Sequence, residues 1–295
     1  MEYIPAKSIV NRTRDSSWFG TEYNMNLYRG CCHGCIYCDS RSDCYHNDSF
    51  DQVRAKADAL RIVRNDLERR VKRGVVGTGA MSDPYNPFEK DLLLTRHALT
   101  LLEAYDFGAA IDTKSDLIVR DIDVLTSISR TMPVLCKLTV TTCDDALAAK
   151  LEPRAPSPTR RLAALEQLSA AGLFAGVLMM PVLPFLEDSP KNIAAIVERA
   201  ADAGARFIYP AFGMTCRAGQ REYFYRQLEA CFPGQGLAER YRRRYGNRYQ
   251  CTSPRARKLW ELFQEQCGRR GLLTSMGQIV AASRRGYETE QLSLF

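Results

Sequence analysis

Cys31, Cys35 and Cys38 stand in the run Tyr28-Arg-Gly-Cys31-Cys-His-Gly-Cys35-Ile-Tyr37-Cys38, spaced Cys-x3-Cys-x2-Cys with a glycine inside. Thiols this close together read first as metal ligands. Three thiolates hold three irons of a [4Fe–4S] cube and leave the fourth iron open, and an open iron on a redox cluster is a reactive position. Zinc is the competing occupant, with Cys44, Cys32, His33 or His46 as fourth ligand. Zinc sites more often read as two separated pairs of Cys or His, a pattern missing from this run. Eleven cysteines is an odd count, which argues against a closed disulfide set. The opening Met1-Glu-Tyr-Ile-Pro5 is neither basic nor apolar for long. No leader or membrane span is read from it, and a cytoplasmic protein with reduced thiols is expected.

The elements that must position these thiols follow from the apolar pattern. Short apolar runs at 25–28, 75–78, 109–113, 133–142, 175–182 and 206–212 read as strands. Amphipathic stretches at 51–72, 87–105, 121–128, 158–170 and 192–203 read as helices between them. In the first, Leu60, Val63, Leu67 and Val71 share a face. Strict strand–helix alternation implies an α/β fold, a parallel sheet with right-handed crossovers. Six units suit a partial (β/α)6 barrel, in which a site lies at the C-terminal strand ends. The cysteine loop follows the first strand and so arrives there. Beyond Met214 the pattern changes to a helix at 218–229, a turn at 232–236, an Arg/Tyr stretch, a helix at 253–269 and a polar tail.

The cysteine spacing resembles that of the radical S-adenosylmethionine (SAM) enzymes. Later landmarks resemble, in order, the spore photoproduct lyase family in its wide sense: Thr78-Gly-Ala80-Met-Ser82-Asp83, Thr113-Lys114, Leu151-Glu152-Pro153-Arg-Ala-Pro-Ser-Pro158 and Arg243-Arg244-Tyr245-Gly246. The resemblance covers roughly residues 22–250. It implies a [4Fe–4S] cluster on Cys31, Cys35 and Cys38, with SAM on the open iron, cleaved by one electron to a 5'-deoxyadenosyl radical. A flavodoxin- or ferredoxin-type electron donor is implied as well. Two departures matter. The lyase has a hydrogen-donating cysteine where Ala80 stands, and a second tyrosine where Asp39 stands; Tyr37 is kept. Cys143, at another strand end, is a conceivable substitute donor. Tyr37 either packs around the cluster or relays an electron.

Position at the strand ends makes Gly77, Thr78, Gly79, Ser82, Lys114 and Thr141 candidates for holding SAM. The glycines would allow close backbone approach, Lys114 would pair with the carboxylate, and Thr141 would bond the ribose or carboxylate. The blander alternatives are a turn for the glycines and solvent for Lys114 and Thr141.

The net charge of +7 has a local source. Arg240, Arg242, Arg243, Arg244, Arg248, Arg255, Arg257 and Lys258 occur with no acid between, and Tyr241, Tyr245 and Tyr249 recur among them. Arginines neutralise phosphates and tyrosines stack on bases, so DNA is the expected partner, with Arg242, Arg243, Arg244, Tyr245 and Arg248 its contacts and a hairpin near Gly246 entering a groove. The alternative is a solvated basic helix whose tyrosines pack on the barrel. The last residues, Gln291-Leu292-Ser-Leu294-Phe295, resemble the bacterial sliding-clamp-binding motif, with Gln291 bonding a pocket rim and Leu292, Leu294 and Phe295 as apolar anchors. The expected organisation is an N-terminal extension (1–22), the radical SAM barrel (23–217), a basic extension (218–283) and a tail (284–295). The expected function is a radical SAM enzyme acting on DNA. The alternatives are a radical SAM enzyme acting on a peptide or small molecule, and a non-catalytic metal-dependent DNA-binding module.

Overall fold

A computed structural model describes residues 1–47 and 49–287. Its strands are β1 (Glu2–Ile4), β2 (Val10–Arg12), β3 (Tyr23–Met25), β4 (Tyr28–Arg29), β5 (Arg54–Lys56), β6 (Val75–Thr78), β7 (Gly108–Thr113), β8 (Val134–Thr139), β9 (Phe174–Met179), β10 (Phe207–Pro210), β11 (Gly213–Thr215) and β12 (Gln250–Thr252). Its helices are α1 (Ala59–Glu68), α2 (Glu89–Leu92), α3 (Leu94–Ala104), α4 (Ile122–Ile128), α5 (Asp145–Leu151), α6 (Pro158–Ala170), α7 (Pro190–Asp202), α8 (Gln220–Cys231), α9 (Leu237–Tyr245), α10 (Ala256–Arg269) and α11 (Met276–Arg284).

The main sheet is open and runs β10-β9-β8-β7-β6-β3-β2. Six strands are parallel, and β2 adds an antiparallel edge beside β3. Five of these strands fall on the expected runs; the first, expected over 25–28, is β3 at Tyr23–Met25, and Tyr28 pairs instead in a small separate sheet as β4. Helices α1, α3, α4, α6 and α7 fill the crossovers. Ser157 and Ser189 cap α6 and α7 by accepting from the backbone N–H groups of Arg160 and Asn192, with Pro158 and Pro190 next in line. Alternation along each strand covers both faces. Val76, Ile111, Leu138 and Val177 pack in one core with the helix residues Leu67, Leu99, Leu165 and Ile196. Val75, Ala110, Leu135, Leu178 and Phe207 face inward on Phe19 and Ile279. Deeper in that concave face Lys137 pairs with Asp112 at 2.6 Å and lies 4.3 Å from the Phe19 ring centre.

The register pairs Thr78 with Ile111, Thr113 with Leu138, Thr139 with Leu178 and Met179 with Pro210. The C-terminal strand ends therefore lie along one edge, and the cysteine loop leaves β3 onto it. A separate core joins Ile36 and Tyr37 of that loop to Phe224, Tyr241, Tyr245 and Cys251. The C-terminal extension thus packs over the cysteines.

Four expectations change. The helix read over 51–72 covers only α1. Val53 and Ala55 are buried between the more exposed Arg54 and Lys56, a period of two that makes β5, which pairs with β1 and β4. Val71, placed on the helix's apolar face, is fully exposed because α1 ends at Glu68. The helix read over 87–105 breaks at Leu93, whose φ is +51°. The polar tail contains α11, which brings Ile279 under the sheet. The hairpin expected at Tyr245–Arg248 is instead the end of α9, turned by Gly246 at φ +53° into β12.

Candidate active site

The cysteine loop is pinned from several sides. Gly30 has φ +81°, and a Cβ there would come within 2.3 Å of the Gln52 carbonyl oxygen, so only glycine fits. The Cys31 N–H donates to the Phe50 carbonyl at 2.8 Å, and the Ile36 N–H to that of Leu151 at 2.9 Å. Ser82 donates its hydroxyl to the Gly30 carbonyl, Arg154 its Nε–H to that of Cys32 at 2.6 Å, and the buried Gln220 amide to that of Tyr37 at 3.0 Å. Asp39, next to Cys38, accepts from Thr215 at 2.8 Å and lies 3.4 Å from Arg217.

Held this way, Cys31, Cys35 and Cys38 line one cavity of about 130 Å³. Cys32, Cys44 and His46 do not line it; His33 does. Three thiols on one cavity, with the other nearby cysteines off it, match the one-thiolate-per-iron ligation of a cluster. Burial pushes all three thiols up, Cys31 to about 12, so thiolates form there only against a cationic partner.

Around this cavity lie charged groups whose pairing the motifs do not reveal. Glu152 is buried, accepts the Tyr37 hydroxyl, pairs with the buried Arg161 and lies 3.8 Å from Lys114 Nζ. Burial raises the Glu152 carboxyl, but Arg161 and Lys114 bring it below its ordinary value. Burial lowers Lys114, but Cys35 and Glu152 bring it above. Arg161 also donates to the carbonyls of Pro156 and Thr139 at 2.7 and 3.0 Å. Asp83 accepts from the Thr113 hydroxyl (2.7 Å), the Lys114 N–H (2.8 Å) and the Tyr85 N–H (2.9 Å), and stands 3.4 Å from His33 Nδ1. Asp83 thereby ties the ends of β6 and β7 to the cysteine loop. Glu152, one of the motif residues, follows the last residue of α5, a position that does not by itself show a carboxylate turned inward. A mid-helix Arg161 gave no sign that it points inward.

The other expected residues divide. Gly79, Ser82 and Lys114 line the cysteine cavity; Gly77, Thr78, Thr141 and Cys143 do not. Gly79 has φ +106°, and a Cβ would lie 1.9 Å from the Asp112 carbonyl oxygen, so its smallness serves the neighbouring strand. A Cβ on Gly77 would meet Thr21 at 3.1 Å. Thr78 is buried away from the cavity. The buried Thr141 hydroxyl donates to Glu187 at 2.6 Å, so its hydrogen is already engaged. Cys143, whose backbone meets Asn192 and Arg199, lines neither this cavity nor the groove beside it, which sets it apart from the expected hydrogen-donor position.

Beside the cavity runs a groove of about 780 Å³, and the two share Cys38, Ser40 and Ala80. Tyr37 lines the groove, with its hydroxyl held by Glu152. Across from it stand Met180, Phe212, Met214, Gln250, Arg257 and Trp260. Tyr245 is a correction: it is 5% exposed, with its hydroxyl on the Thr252 carbonyl at 2.8 Å, and cannot stack on a base. Tyr241 is buried likewise on the Pro184 carbonyl. Arg242, Arg243, Arg244 and Arg248 are exposed and line neither cavity nor groove. Arg242 is paired with Glu229 at 3.2 Å, a carboxylate outside the acid-free run. Gln291, Leu292, Leu294 and Phe295 lie outside the described residues.

A family model described as the radical SAM superfamily matches residues 25–208. The chain belongs to the radical SAM superfamily. As a radical SAM enzyme it uses a [4Fe–4S] cluster and SAM, and the non-catalytic alternative falls away. Uncharacterized proteins of Mycobacterium tuberculosis and Mycobacterium bovis are 31% identical to it over 249 residues, 82% of this chain and 72% of theirs. One of Methanocaldococcus jannaschii is 31% identical over 190 residues, 63% of this chain and 68% of its own. Spore photoproduct lyase complexed with dinucleoside spore photoproduct superposes with a TM-score of 0.65 at 16% identity, over 92% of this chain and 81% of the lyase. A lyase mutant with bound AdoMet and the same dinucleoside gives 0.65 at 17% identity, over the same shares. A radical S-adenosylmethionine methyltransferase of Kitasatospora setae, with cobalamin and a [4Fe–4S] cluster bound, gives 0.55 at 11% identity, over 90% of this chain and 62% of that one. At such identities the likeness is one of fold. Within the described residues no helix is long and apolar enough to cross a membrane.

Proposed function

We propose that this radical SAM enzyme acts on a nucleic acid, DNA in the first place, with Cys31, Cys35 and Cys38 as the cluster ligands. The observation that carries the reading is the shared boundary of the cysteine cavity and the groove, whose far wall comes from the basic extension. Bound there, cluster and SAM supply a one-electron reductive cleavage and a 5'-deoxyadenosyl radical. The protein's own residues have simpler tasks. Lys114 places a cation beside thiols that burial would otherwise keep protonated. Ser82 and Arg154 fix the loop's carbonyls, and Tyr37 with Cys38 forms the groove floor. The apolar lining from Met180 to Met214 excludes water from a reactive radical.

The reaction ends differently from thiol hydrogen transfer. Ala80 lies where the two spaces meet, and among the described residues the groove presents no thiol besides Cys38. As working boundaries, 23–217 forms the catalytic unit, 218–283 the extension and 284–295 the tail. A flavodoxin- or ferredoxin-type carrier supplies the electron, and the tail docks a bacterial sliding clamp. The clamp proposal rests on sequence alone, and loss of clamp binding on replacing Leu294 and Phe295 would support it.

The test is 5'-deoxyadenosine release by reconstituted, reduced enzyme. Damaged or undamaged DNA should raise the rate above that with SAM alone. Stimulation by peptides and by no nucleic acid would contradict the proposal.

A further inference from the structure

The outer wall of the groove is the start of α10, where Ala256, Arg257 and Trp260 line it. Trp260 is 44% exposed. Phe263 stands beside it with ring centres 5.7 Å apart, and Phe212, which also lines the groove, is edge-on at 6.3 Å. A half-exposed tryptophan steadied by two rings in a groove wall is suited to stacking on a base. Arg257 lies three residues earlier, on the same helix face. Its guanidinium, 92% exposed, meets Glu261 at 3.2 Å, and such an exposed pair holds it only weakly. Gln250 and Thr252 add an exposed amide and hydroxyl to the groove lining. Lys258 and Arg248, next to these lining residues in sequence, are exposed as well.

We infer that the outer part of this groove takes one unstacked nucleobase, its ring laid on Trp260 and a flanking phosphate on Arg257. The inference rests on the nucleic-acid reading above and adds the mode of presentation. Cys38 and Ala80 line the same groove as Trp260, so a base laid on that ring shares the groove with the edge of the cysteine cavity, and an unstacked base is the form in which a nucleotide enters such a pocket. The phosphate contacts come from the later half of the basic run, at Arg257 and Lys258, rather than from Arg242–Arg244.

The chain has two tryptophans, so Trp18→Phe makes Trp260 the only reporter. In that background a single-stranded oligonucleotide should quench the emission more strongly than the same sequence fully paired. Trp260→Ala should weaken single-strand binding about tenfold or more, and Trp260→Phe should restore most of it. Unchanged visible cluster absorbance and circular dichroism would show that both variants fold. Oligonucleotide binding with unaltered Trp260 emission and equal affinity in Trp260→Ala would overturn the inference and leave the nucleic-acid reading standing. Preference for the paired duplex would overturn it too. Failure of every oligonucleotide to bind the parent enzyme would sink both.

Discussion

Glu152 carries more of this site than its place in a turn suggests. It is the common partner of Tyr37, Arg161 and, at longer range, Lys114, and Arg161 is fully buried. Glu152→Ala leaves that guanidinium uncompensated, which costs about 3–5 kcal/mol. Denaturant unfolding should show a loss of this size, and iron content should fall as the cysteine loop loosens. The cysteines make a sharper set. Cys31→Ala, Cys35→Ala and Cys38→Ala should each abolish the brown cluster absorbance after anaerobic reconstitution. Cys32→Ala and Cys44→Ala, off the cavity, should leave about four irons per chain. The thiol triplet was legible because metal chemistry fixes its spacing. Arg161 was not, nor were the burial and partners of the motif residues Glu152 and Asp83, because a carboxylate or guanidinium looks alike in a sequence whether it is solvated or buried. Only the strand order brings these three together.

At the scale of elements, the strand ends explain which glycine is essential. A methyl on Gly79 would overlap the Asp112 carbonyl oxygen at 1.9 Å and force φ away from +106°. Gly79→Ala should therefore be insoluble or lose more than roughly 4 kcal/mol. Gly77→Ala meets only the Thr21 side chain at 3.1 Å and should fold. The loop after β9 sets a pH dependence. Burial pushes the Glu187 carboxyl up from 4.5 to about 8, although Thr141 and the Leu183 N–H bond it. Below its ordinary value both folded and unfolded states hold the proton. As pH rises towards about 8 the unfolded chain ionises first, so stability falls through that window. Glu187→Gln keeps one donor and one acceptor there without the charge. It should match the wild type near about pH 5 and exceed it by on the order of a few kcal/mol near about pH 9, as urea titrations would reveal. The parallel strands were legible as apolar runs, and Ser-Pro pairs marked the starts of α6 and α7. Strand β5 was missed because three residues carry too short an alternation. Helix α11 was missed because its buried face amounts to little more than Ile279.

For the whole molecule, the C-terminal extension and the cysteine loop form one packed unit. Ile36 and Tyr37 share a core with Tyr241, Tyr245 and Cys251, Gln220 bonds the loop directly, and Thr215 and Arg217, just before the extension, meet Asp39. On the proposed function, nucleic acid held by the extension would lie beside the cysteine cavity. The basic run was legible as a charge excess, but not which half of it faces the groove, since that depends on how α10 docks. Replacing Arg257 and Lys258 should lower the salt dependence of oligonucleotide binding by about one to two in log–log slope, more than replacing Arg242, Arg243 and Arg244 does. The most direct test of the central claim follows the hydrogen atom itself. Oligonucleotide deuterated on its sugars and bases is turned over with unlabelled SAM, and the 5'-deoxyadenosine is weighed by mass spectrometry. The account predicts a product heavier by at least one deuterium, formed faster with nucleic acid than without. Unlabelled 5'-deoxyadenosine, released at the same rate with and without the oligonucleotide, would contradict it.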